Sequence, residues 1–266
     1  MNNIKTIVFD LDGTIYQNND FHRDYIHFLL EGSNLTGWED SLVRFIDGVY
    51  TGKHLTMNAY YSTARISAGT AEEYFAALER AYVPGIDFDC ARSRGDLVFL
   101  GDAWAVVSLI GKTLGLLENG RDNQVYRKTR QKMSQDGMQG NQRLRRAILA
   151  LGSRYETVLL TNSYEETALD FLAQLGFSGI FRRAVYSAGK PFDLVKNLST
   201  HFPELRSRPE TFLTVGDHAF NDLMPLQQLG CKALWINPFE NVHEARADIT
   251  VHTLDELAEC LECMCR

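Results

Sequence analysis

The feature that most constrains the fold is a series of short runs rich in Val, Ile, Leu and Phe. Polar residues follow each run, and a segment with helical spacing comes after most of them. The runs cover residues 4–10, 156–162, 182–187, 211–217 and 232–237. Strands that alternate with helices of this length predict an α/β fold with a doubly wound, mainly parallel sheet, covered on both faces.

The interval from residue 17 to 140 has a different pattern, with helical spacing almost throughout and no convincing series of strands. We therefore expect an all-helical domain inserted after the first strand, so that residues 1–16 and 141–266 form the sheet domain. A chain of 266 residues, 45% of them hydrophobic, is long enough to bury one large core and a smaller second one.

Charge and hydropathy limit the classes of partner. A formal net charge of −7 and the lack of a basic tract argue against nucleic-acid binding, because phosphate backbones are held by surplus Lys and Arg. The first residues lack the pattern of a secretory signal, and no segment approaches 18 uninterrupted apolar residues. We expect a cytoplasmic protein that binds neither nucleic acid nor membrane.

Five cysteines without a scaffold-like spacing indicate reduced thiols rather than a disulfide framework. Three of them, Cys260, Cys263 and Cys265, crowd the end of the chain in a pattern that a soft metal could use. The same segment has helical spacing and a Thr253/Glu256 capping box, so we interpret these cysteines as helix residues.

The first apolar run ends in two carboxylates, Asp10 and Asp12, followed by Gly13 and Thr14. Residues i and i+2 at the end of a strand point to the same side and can flank one small volume. Mg²⁺ prefers oxygen ligands and would offset the repulsion between the two carboxylates. A solvated Asp-x-Asp-Gly turn explains the same four residues without any chemistry.

Two further strand ends carry groups that suit an anion. Thr161 and Asn162 end the second run, just before a helix whose free N–H groups could bind phosphate, although this pattern is equally suited to capping. Ser163 and Glu166 form a capping box there. Lys190 follows the third run and could neutralise phosphoryl oxygens, although a lone lysine is usually a surface residue.

The fourth run ends in two more acidic residues, Asp217 at the tip of the strand and Asp222 at the start of the next helix, for which Asn221 is the expected N-cap. The carboxyl ends of parallel strands meet at one edge of a sheet, where ligands bind. Asp217 and Asp222 could therefore complete a cation site with Asp10. Four successive strand ends of this kind are hard to explain as solvated loops.

Taken together, these residues resemble the haloacid dehalogenase-like (HAD) hydrolase superfamily, and within it the phosphatases with an inserted helical cap. The "DLDGT" segment at 10–14 matches the first motif, Thr161 the second, Lys190 the third, and Asp217 with Asp222 the fourth. The resemblance covers the sheet domain and implies a Rossmann-like core with a cap at residues 17–140.

The resemblance also implies a reaction. Asp10 would attack the phosphorus of a phosphate monoester and form an aspartyl phosphate, and Asp12 would act first as general acid and then as general base. Thr161, Asn162 and Lys190 would hold the phosphate.

The implied cofactor is Mg²⁺, bound by the Asp10 carboxylate, the Asp12 backbone carbonyl and Asp217. Asp222 would act through water or by orienting Lys190. The implied partner is a small organic phosphate such as a nucleoside monophosphate, a sugar phosphate or phosphoglycolate.

Two residues depart from the family pattern. His218 follows Asp217 where the family more often has a small residue, and the segment after Pro191 lacks a second proline often found there. Neither departure removes a group that the implied reaction needs.

Three other functions remain open at this point. A phosphomutase would use the same residues, whereas a haloacid dehalogenase would need neither a metal nor the second aspartate. A binding protein of the same fold would have lost catalysis, although all four motifs are intact here.

Overall fold

The computed structural model describes residues 3–18 and 20–265, which divide into two compact units. The first unit comprises Met1–Gln17, Gly137–Pro238 and Ala245–Arg266, and the second comprises Asn18–Asp136 and Phe239–Glu244. This division differs from the predicted ranges in three ways. The first boundary lies one residue later than the predicted one. The second boundary lies four residues earlier than the predicted one, and a short segment after residue 238 packs with the second unit.

The strands in chain order are β1 (Thr6–Phe9), β2 (Tyr60–Ser62), β3 (Leu97–Phe99), β4 (Glu156–Leu160), β5 (Arg183–Val185), β6 (Phe212–Gly216), β7 (Lys232–Ile236) and β8 (Ile249–Val251). The first unit contains a six-stranded sheet in the order β5-β4-β1-β6-β7-β8, and every neighbouring pair is parallel. The predicted α/β class with a parallel sheet is confirmed.

The helices in chain order are α1 (Phe21–Leu30), α2 (Glu39–Tyr50), α3 (Ala71–Glu79), α4 (Phe88–Arg92), α5 (Ala103–Thr113), α6 (Arg121–Asp136), α7 (Gln142–Leu151), α8 (Glu165–Gln174), α9 (Leu194–His201), α10 (Met224–Gln227) and α11 (Leu254–Met264). Short 3₁₀ turns cover Thr36–Trp38, Pro203–Leu205 and Pro209–Thr211, and a π-helical turn covers Ala219–Leu223.

The central strands are buried on both faces, which explains why their sequences are continuously apolar instead of alternating. All residues of β1 and β6 are buried, and β1 lies between β4 and β6 with its residues in register with both. The edge strand β8 was not predicted, because three residues with only one buried side chain give too short an apolar run to recognise.

The second unit corrects the expectation of an all-helical insertion. It contains a two-stranded antiparallel sheet in which Tyr60 pairs with Phe99 and Ser62 with Leu97. Residues 95–117 have helical spacing in the sequence, but the structure divides them into β3 and α5, and Asp102 caps α5 through a hydrogen bond from the Ala105 N–H at 2.6 Å. A short β-branched and aromatic run is ambiguous until its pairing partner is known.

The segment Phe239–Glu244 packs with the second unit through backbone hydrogen bonds. Met57 donates its N–H to the Asn241 carbonyl at 2.8 Å and accepts from the His243 N–H at 3.0 Å. The Asn58 side chain also donates to the His243 carbonyl at 2.6 Å. These contacts join residues about 185 positions apart in the sequence, so the sequence pattern could not indicate them.

Across the described part of the chain, no helix is both long enough and apolar enough to cross a membrane.

Candidate active site

Three adjacent strands bring the predicted residues to one edge of the sheet. Asp10 follows β1, Thr161 follows β4 and Asp217 follows β6, and these strands are neighbours in the sheet. Because all three strands are parallel, their carboxyl ends lie at the same edge. The side chains that the sequence placed in separate motifs therefore share one site within the first unit.

Asp10, Asp217 and Asp222 form a buried carboxylate cluster. One oxygen from each lies within 4.8 Å of one oxygen from the other two, and the residues are only 8%, 6% and 3% exposed. Among residues 3–18 and 20–265, this is the single group of three or more acidic, His or Cys side chains with that spacing. Buried like charges repel strongly, so the cluster needs positive charge nearby.

Lys190 supplies part of that charge. Its Nζ donates hydrogen bonds to Asp10 Oδ1 at 2.5 Å and to Asp222 Oδ1 at 2.6 Å, and its side chain is 4% exposed. The lysine is therefore a buried bridge between two carboxylates and not a surface residue. It precedes a cis peptide bond to Pro191.

Asn162 holds the backbone of Lys190 from both sides. Its Oδ1 accepts a hydrogen bond from the Lys190 N–H at 2.8 Å, and its Nδ2 donates to the Lys190 carbonyl at 3.1 Å. Both ends of the amide are thus engaged with the protein. In this geometry the Asn162 side chain positions Lys190, and phosphate binding by Asn162 stays a prediction.

The charges in the cluster and its burial shift the pKa values of Asp10 and Lys190. The pKa of Asp10 is raised to about 8, chiefly by burial; the charge of Lys190 opposes this rise, and the carboxylates of Asp222 and Asp12 add to it. Burial alone would lower the pKa of Lys190, but the charges of Asp10 and Asp222 outweigh that effect and raise it above its usual value. The lysine therefore stays protonated, and additional positive charge would favour an ionised Asp10.

Asp222 is held in place by the turn that carries it. Its Oδ2 accepts from the His218 N–H at 3.1 Å, and its carbonyl accepts from the Thr214 hydroxyl at 2.8 Å. A Cβ on Gly216 would lie 2.4 Å from the Asp222 Cβ, so only glycine permits this approach. Both carboxylate oxygens of Asp222 accept hydrogen bonds from the protein, an arrangement suited to orienting Lys190.

His218 has a structural role that the sequence pattern assigned to Asn221. Its side chain is buried, and Nδ1 accepts a hydrogen bond from the Asn221 N–H at 3.2 Å, so His218 caps the π-helical turn. The expected Asn221 cap is wrong, because the turn begins three residues earlier than the sequence pattern indicated. A buried histidine is thus accommodated next to Asp217 as a capping residue.

Asp12 is held by two hydroxyl groups that the sequence analysis did not connect with it. Tyr16 donates its hydroxyl to Asp12 Oδ1, and Ser163 donates to Asp12 Oδ2 at 2.9 Å. The N-cap residue of α8 is Tyr164, and not Ser163 as predicted, and the Tyr164 side chain makes no capping hydrogen bond. The two patterns look alike in sequence, because a serine before a helix can either cap it or hydrogen-bond elsewhere.

Thr161 lies beside Ser163 and is 1% exposed. Its hydroxyl accepts a hydrogen bond from the Ser163 N–H at 3.0 Å, and its backbone N–H donates to the Val185 carbonyl at 3.0 Å. A hydroxyl next to the start of α8 is well suited to an anion, and phosphate binding by Thr161 stays a prediction.

A family model described as haloacid dehalogenase-like hydrolase matches residues 4–230. The chain belongs to the haloacid dehalogenase-like hydrolases. The match includes both the sheet unit up to β6 and the inserted unit, so it covers far more than the motifs themselves.

Solved structures of HAD-like proteins share this fold at low sequence identity. The chain is similar to the putative HAD-hydrolase YfnB from Bacillus subtilis bound to magnesium (17% identity, 97% of this chain and 98% of that one, TM-score 0.54). It is also similar to a putative β-phosphoglucomutase from Thermotoga maritima (15% identity, 97% of this chain and 99% of that one, TM-score 0.53). A third similar structure is an L-2-haloacid dehalogenase (14% identity, 97% of this chain and 99% of that one, TM-score 0.53). No curated protein matches the sequence significantly.

The donor set of this HAD-like site fits a hard divalent cation. The ammonium group of Lys190 pairs with two of the three buried carboxylates, which leaves an excess of negative charge, and carboxylate oxygens are the ligands that Mg²⁺ prefers. Asp10 and Asp217 are the carboxylates best placed to hold it, because both oxygens of Asp222 already accept hydrogen bonds.

Two of the three C-terminal cysteines lie on a helix as predicted, and Cys265 follows the end of that helix. Cys260 and Cys263 lie on α11, which Thr253 caps by accepting from the Glu256 N–H at 3.1 Å. The His252 N–H, one residue before the N-cap, donates to the Glu256 side chain at 2.7 Å. All five cysteines are free thiols.

Gly13 provides a first testable prediction. Its φ is +79°, and an added Cβ would lie 1.9 Å from Asp217 Oδ2, so alanine would displace the Asp217 carboxylate. We expect Gly13→Ala to weaken Mg²⁺ binding, measured by calorimetry, and to lower turnover by about 100-fold, since small misplacements of reacting groups have effects of this size.

Gly179→Ala is the matched control, because Gly179 has φ +70° and nothing within 4 Å of an added Cβ. The control should lose about 1–2 kcal/mol of stability from backbone strain, with Mg²⁺ binding unchanged. Equal Mg²⁺ affinity in the two variants would show that the Asp217 carboxylate does not need the space that the missing Cβ of Gly13 leaves.

Proposed function

We propose that this protein is a magnesium-dependent phosphatase that hydrolyses a small organic phosphate monoester through an aspartyl-phosphate intermediate. The observation that carries the proposal is the buried cluster of Asp10, Asp217 and Asp222 bridged by Lys190, with Asp12 two residues from the nucleophile. A site of this kind provides a nucleophile, positive charge and a proton donor at one sheet edge.

In the first half-reaction, a carboxylate oxygen of Asp10 attacks the phosphorus of the ester. The bond from phosphorus to the ester oxygen breaks as the bond to Asp10 forms, and Asp12 gives its proton to the departing alkoxide. Covalent catalysis of this type divides one difficult displacement into two easier ones. The alcohol leaves with the proton that Asp12 carried.

In the second half-reaction, water attacks the phosphorus of the aspartyl phosphate. Asp12, now ionised, accepts a proton from that water, and the bond between phosphorus and Asp10 breaks. Inorganic phosphate leaves, Asp10 is again a carboxylate and Asp12 is again protonated. The two residues thus return to their starting states after each turnover.

The remaining residues bind and orient. Lys190 holds Asp10 and offers its charge to the transferring phosphoryl group, and the Thr161 hydroxyl and the Asn162 backbone N–H offer donors to the phosphoryl oxygens. Magnesium bound by Asp10, Asp217 and the Asp12 backbone carbonyl would supply positive charge to the transferring group. Asp222 keeps Lys190 directed at Asp10.

The second carboxylate and the acidic cluster favour phosphorus over carbon as the atom attacked. Displacement of halide from carbon needs no proton donor for the leaving group and no divalent cation. Here Asp12 is held by two hydroxyls, and Asp217 and Asp222 are buried beside Asp10. The phosphoryl reaction uses Asp12, Asp217 and Asp222, whereas the dehalogenase reaction needs neither a proton donor nor metal ligands.

The net charge of the protein limits the charge of the substrates that we propose. A net charge of −7 disfavours polyanions and is compatible with small phosphates that bind together with Mg²⁺. We propose a nucleoside monophosphate, a sugar phosphate or phosphoglycolate.

The test is release of inorganic phosphate from an aryl phosphate and from a panel of phosphorylated metabolites, with and without Mg²⁺. We expect metal-dependent release, with one substrate class hydrolysed faster than the rest. Conversion of a sugar phosphate to its isomer without phosphate release would identify a phosphomutase instead. Release of halide from a 2-haloacid, with no phosphate released from any ester, would identify a dehalogenase.

A further inference from the structure

Asp12 lies in a hydrogen-bonded clamp formed by Tyr16 and Ser163. Tyr16 donates its hydroxyl to one carboxyl oxygen and Ser163 donates to the other at 2.9 Å, so both oxygens of Asp12 are bound by the protein. Tyr16 and Ser163 are 4% and 5% exposed. Their hydroxyls therefore restrain a carboxyl group that is itself only partly buried.

The clamp is built by two elements of the first unit. Tyr16 follows the turn after β1, in which the Ile15 N–H donates to the Leu11 carbonyl at 2.9 Å. Its ring packs edge-on against Phe171 of α8 with centroids 5.8 Å apart. Ser163 lies just before the same helix, and its N–H donates to Thr161 Oγ1 at 3.0 Å.

Both hydroxyls reach the same carboxyl group. Ser163 precedes the N-cap residue of α8, and Tyr16 reaches back four residues within its own loop. A buried hydroxyl directed at an ionisable carboxyl group fixes the rotation of that group, and two hydroxyls on different oxygens fix it more firmly. Hydroxyls can also exchange donor and acceptor roles, so the clamp suits Asp12 with or without its proton.

We propose that Tyr16 and Ser163 are positioning residues that hold the Asp12 carboxyl group in line with the leaving oxygen of the ester. The inference rests on the proposed phosphatase function and deepens it. An enzyme that fixes its proton donor in this way is adapted to esters of ordinary alcohols, whose alkoxides are poor leaving groups and need a proton as they depart. Aryl phosphates with an acidic phenol need that proton far less.

The decisive measurement is the dependence of kcat/KM on the leaving group. We expect Tyr16→Phe to lower kcat/KM by about 10- to 100-fold for an alkyl phosphate, a part of the 10²–10⁴-fold that general acid catalysis contributes. For 4-nitrophenyl phosphate the expected loss is less than about threefold, because little acid assistance is required. Ser163→Ala should show the same selectivity.

Two matched variants serve as controls. Tyr155→Phe removes a tyrosine hydroxyl that donates to the Met264 carbonyl at 3.0 Å, and Ser153→Ala removes a hydroxyl that donates to the Ala150 carbonyl at 2.8 Å. Neither group contacts Asp12, so neither change should alter the leaving-group dependence. Thermal melting of all four variants verifies that each protein is folded.

The outcomes separate the inference from the proposed function. A loss in Tyr16→Phe and Ser163→Ala that is equal for alkyl and aryl esters, or no loss at all, overturns the positioning role while phosphatase activity stands. In an Asp12→Asn background, Tyr16→Phe should cause no further loss for the alkyl ester. If the wild-type protein with Mg²⁺ hydrolyses none of the esters, the proposed function itself is wrong.

Discussion

Asp10→Asn is expected to lower phosphatase turnover by at least about 10⁴-fold, as removal of a nucleophile does in other covalent enzymes. An amide has nearly the same shape and can still accept a hydrogen bond from Lys190, but it is not a nucleophile towards phosphorus. The wild-type protein, quenched in acid during turnover of a phosphate-labelled ester, should carry label that hydroxylamine removes. Asp10→Asn should carry none.

The pH dependence of stability provides an independent check on this variant. Since burial raises the pKa of Asp10 to about 8, the folded protein binds a proton more tightly than the unfolded chain between about pH 4 and 8. The free energy of unfolding of the metal-free wild type should therefore fall as pH rises through this window. Asp10→Asn should lack this contribution, and it should also bind Mg²⁺ more weakly.

Asp89→Asn, a change on the exposed side of the short helix α4, is the matched control and should alter neither turnover nor this pH dependence. Turnover by Asp10→Asn within tenfold of the wild type, with label still attached to the protein, would assign the nucleophile to another residue.

Lys190→Met is expected to destabilise the metal-free protein by about 3–5 kcal/mol, because removing one partner of a buried ion pair leaves uncompensated charge. Here the change leaves Asp10 and Asp222, which are both buried, without the cation that bridges them. Turnover should fall by about 10²- to 10³-fold, since a group that stabilises charge in the transition state is lost. Denaturant unfolding with and without Mg²⁺ measures the first effect, and Mg²⁺ should restore part of the stability.

Two further variants test whether the loss of stability in Lys190→Met comes from the buried position of Lys190. Lys196→Met makes the same chemical change at an exposed position of α9 and should change stability by less than about 0.5 kcal/mol. The double variant Lys190→Met/Asp222→Asn removes one of the uncompensated carboxylates and should be more stable than Lys190→Met alone. Equal stability of Lys190→Met and Lys196→Met would contradict the bridging role of Lys190.

The main features of the first unit could be predicted because their signals are local in sequence. A short apolar run marks a buried strand wherever it lies, and Asp10, Thr161 and Asp217 each follow such a run directly. The parallel arrangement then brings those ends to one edge. Strand β8 and the antiparallel pair of β2 and β3 were missed, because three-residue strands depend on their partners more than on their own pattern.

The roles of the polar side chains around the site were less predictable. The position of Asn162 and Ser163 before a helix indicated phosphate binding and capping, but it did not indicate that Asn162 holds the Lys190 backbone or that Ser163 donates to Asp12. Tyr16 had no signal at all beyond its proximity to Asp12 in the sequence. A hydroxyl or amide can satisfy many partners, so its local sequence does not select one.

The sequence by itself determined the parallel sheet, the HAD-like family and the acidic and basic residues at the strand ends, since each depends on residue type and short spacing. Only the tertiary structure decided that Lys190 is buried between Asp10 and Asp222, and that Tyr16 and Ser163 donate hydrogen bonds to Asp12. Those contacts join residues as many as 180 positions apart. Their energies depend on burial and distance, which no local pattern contains.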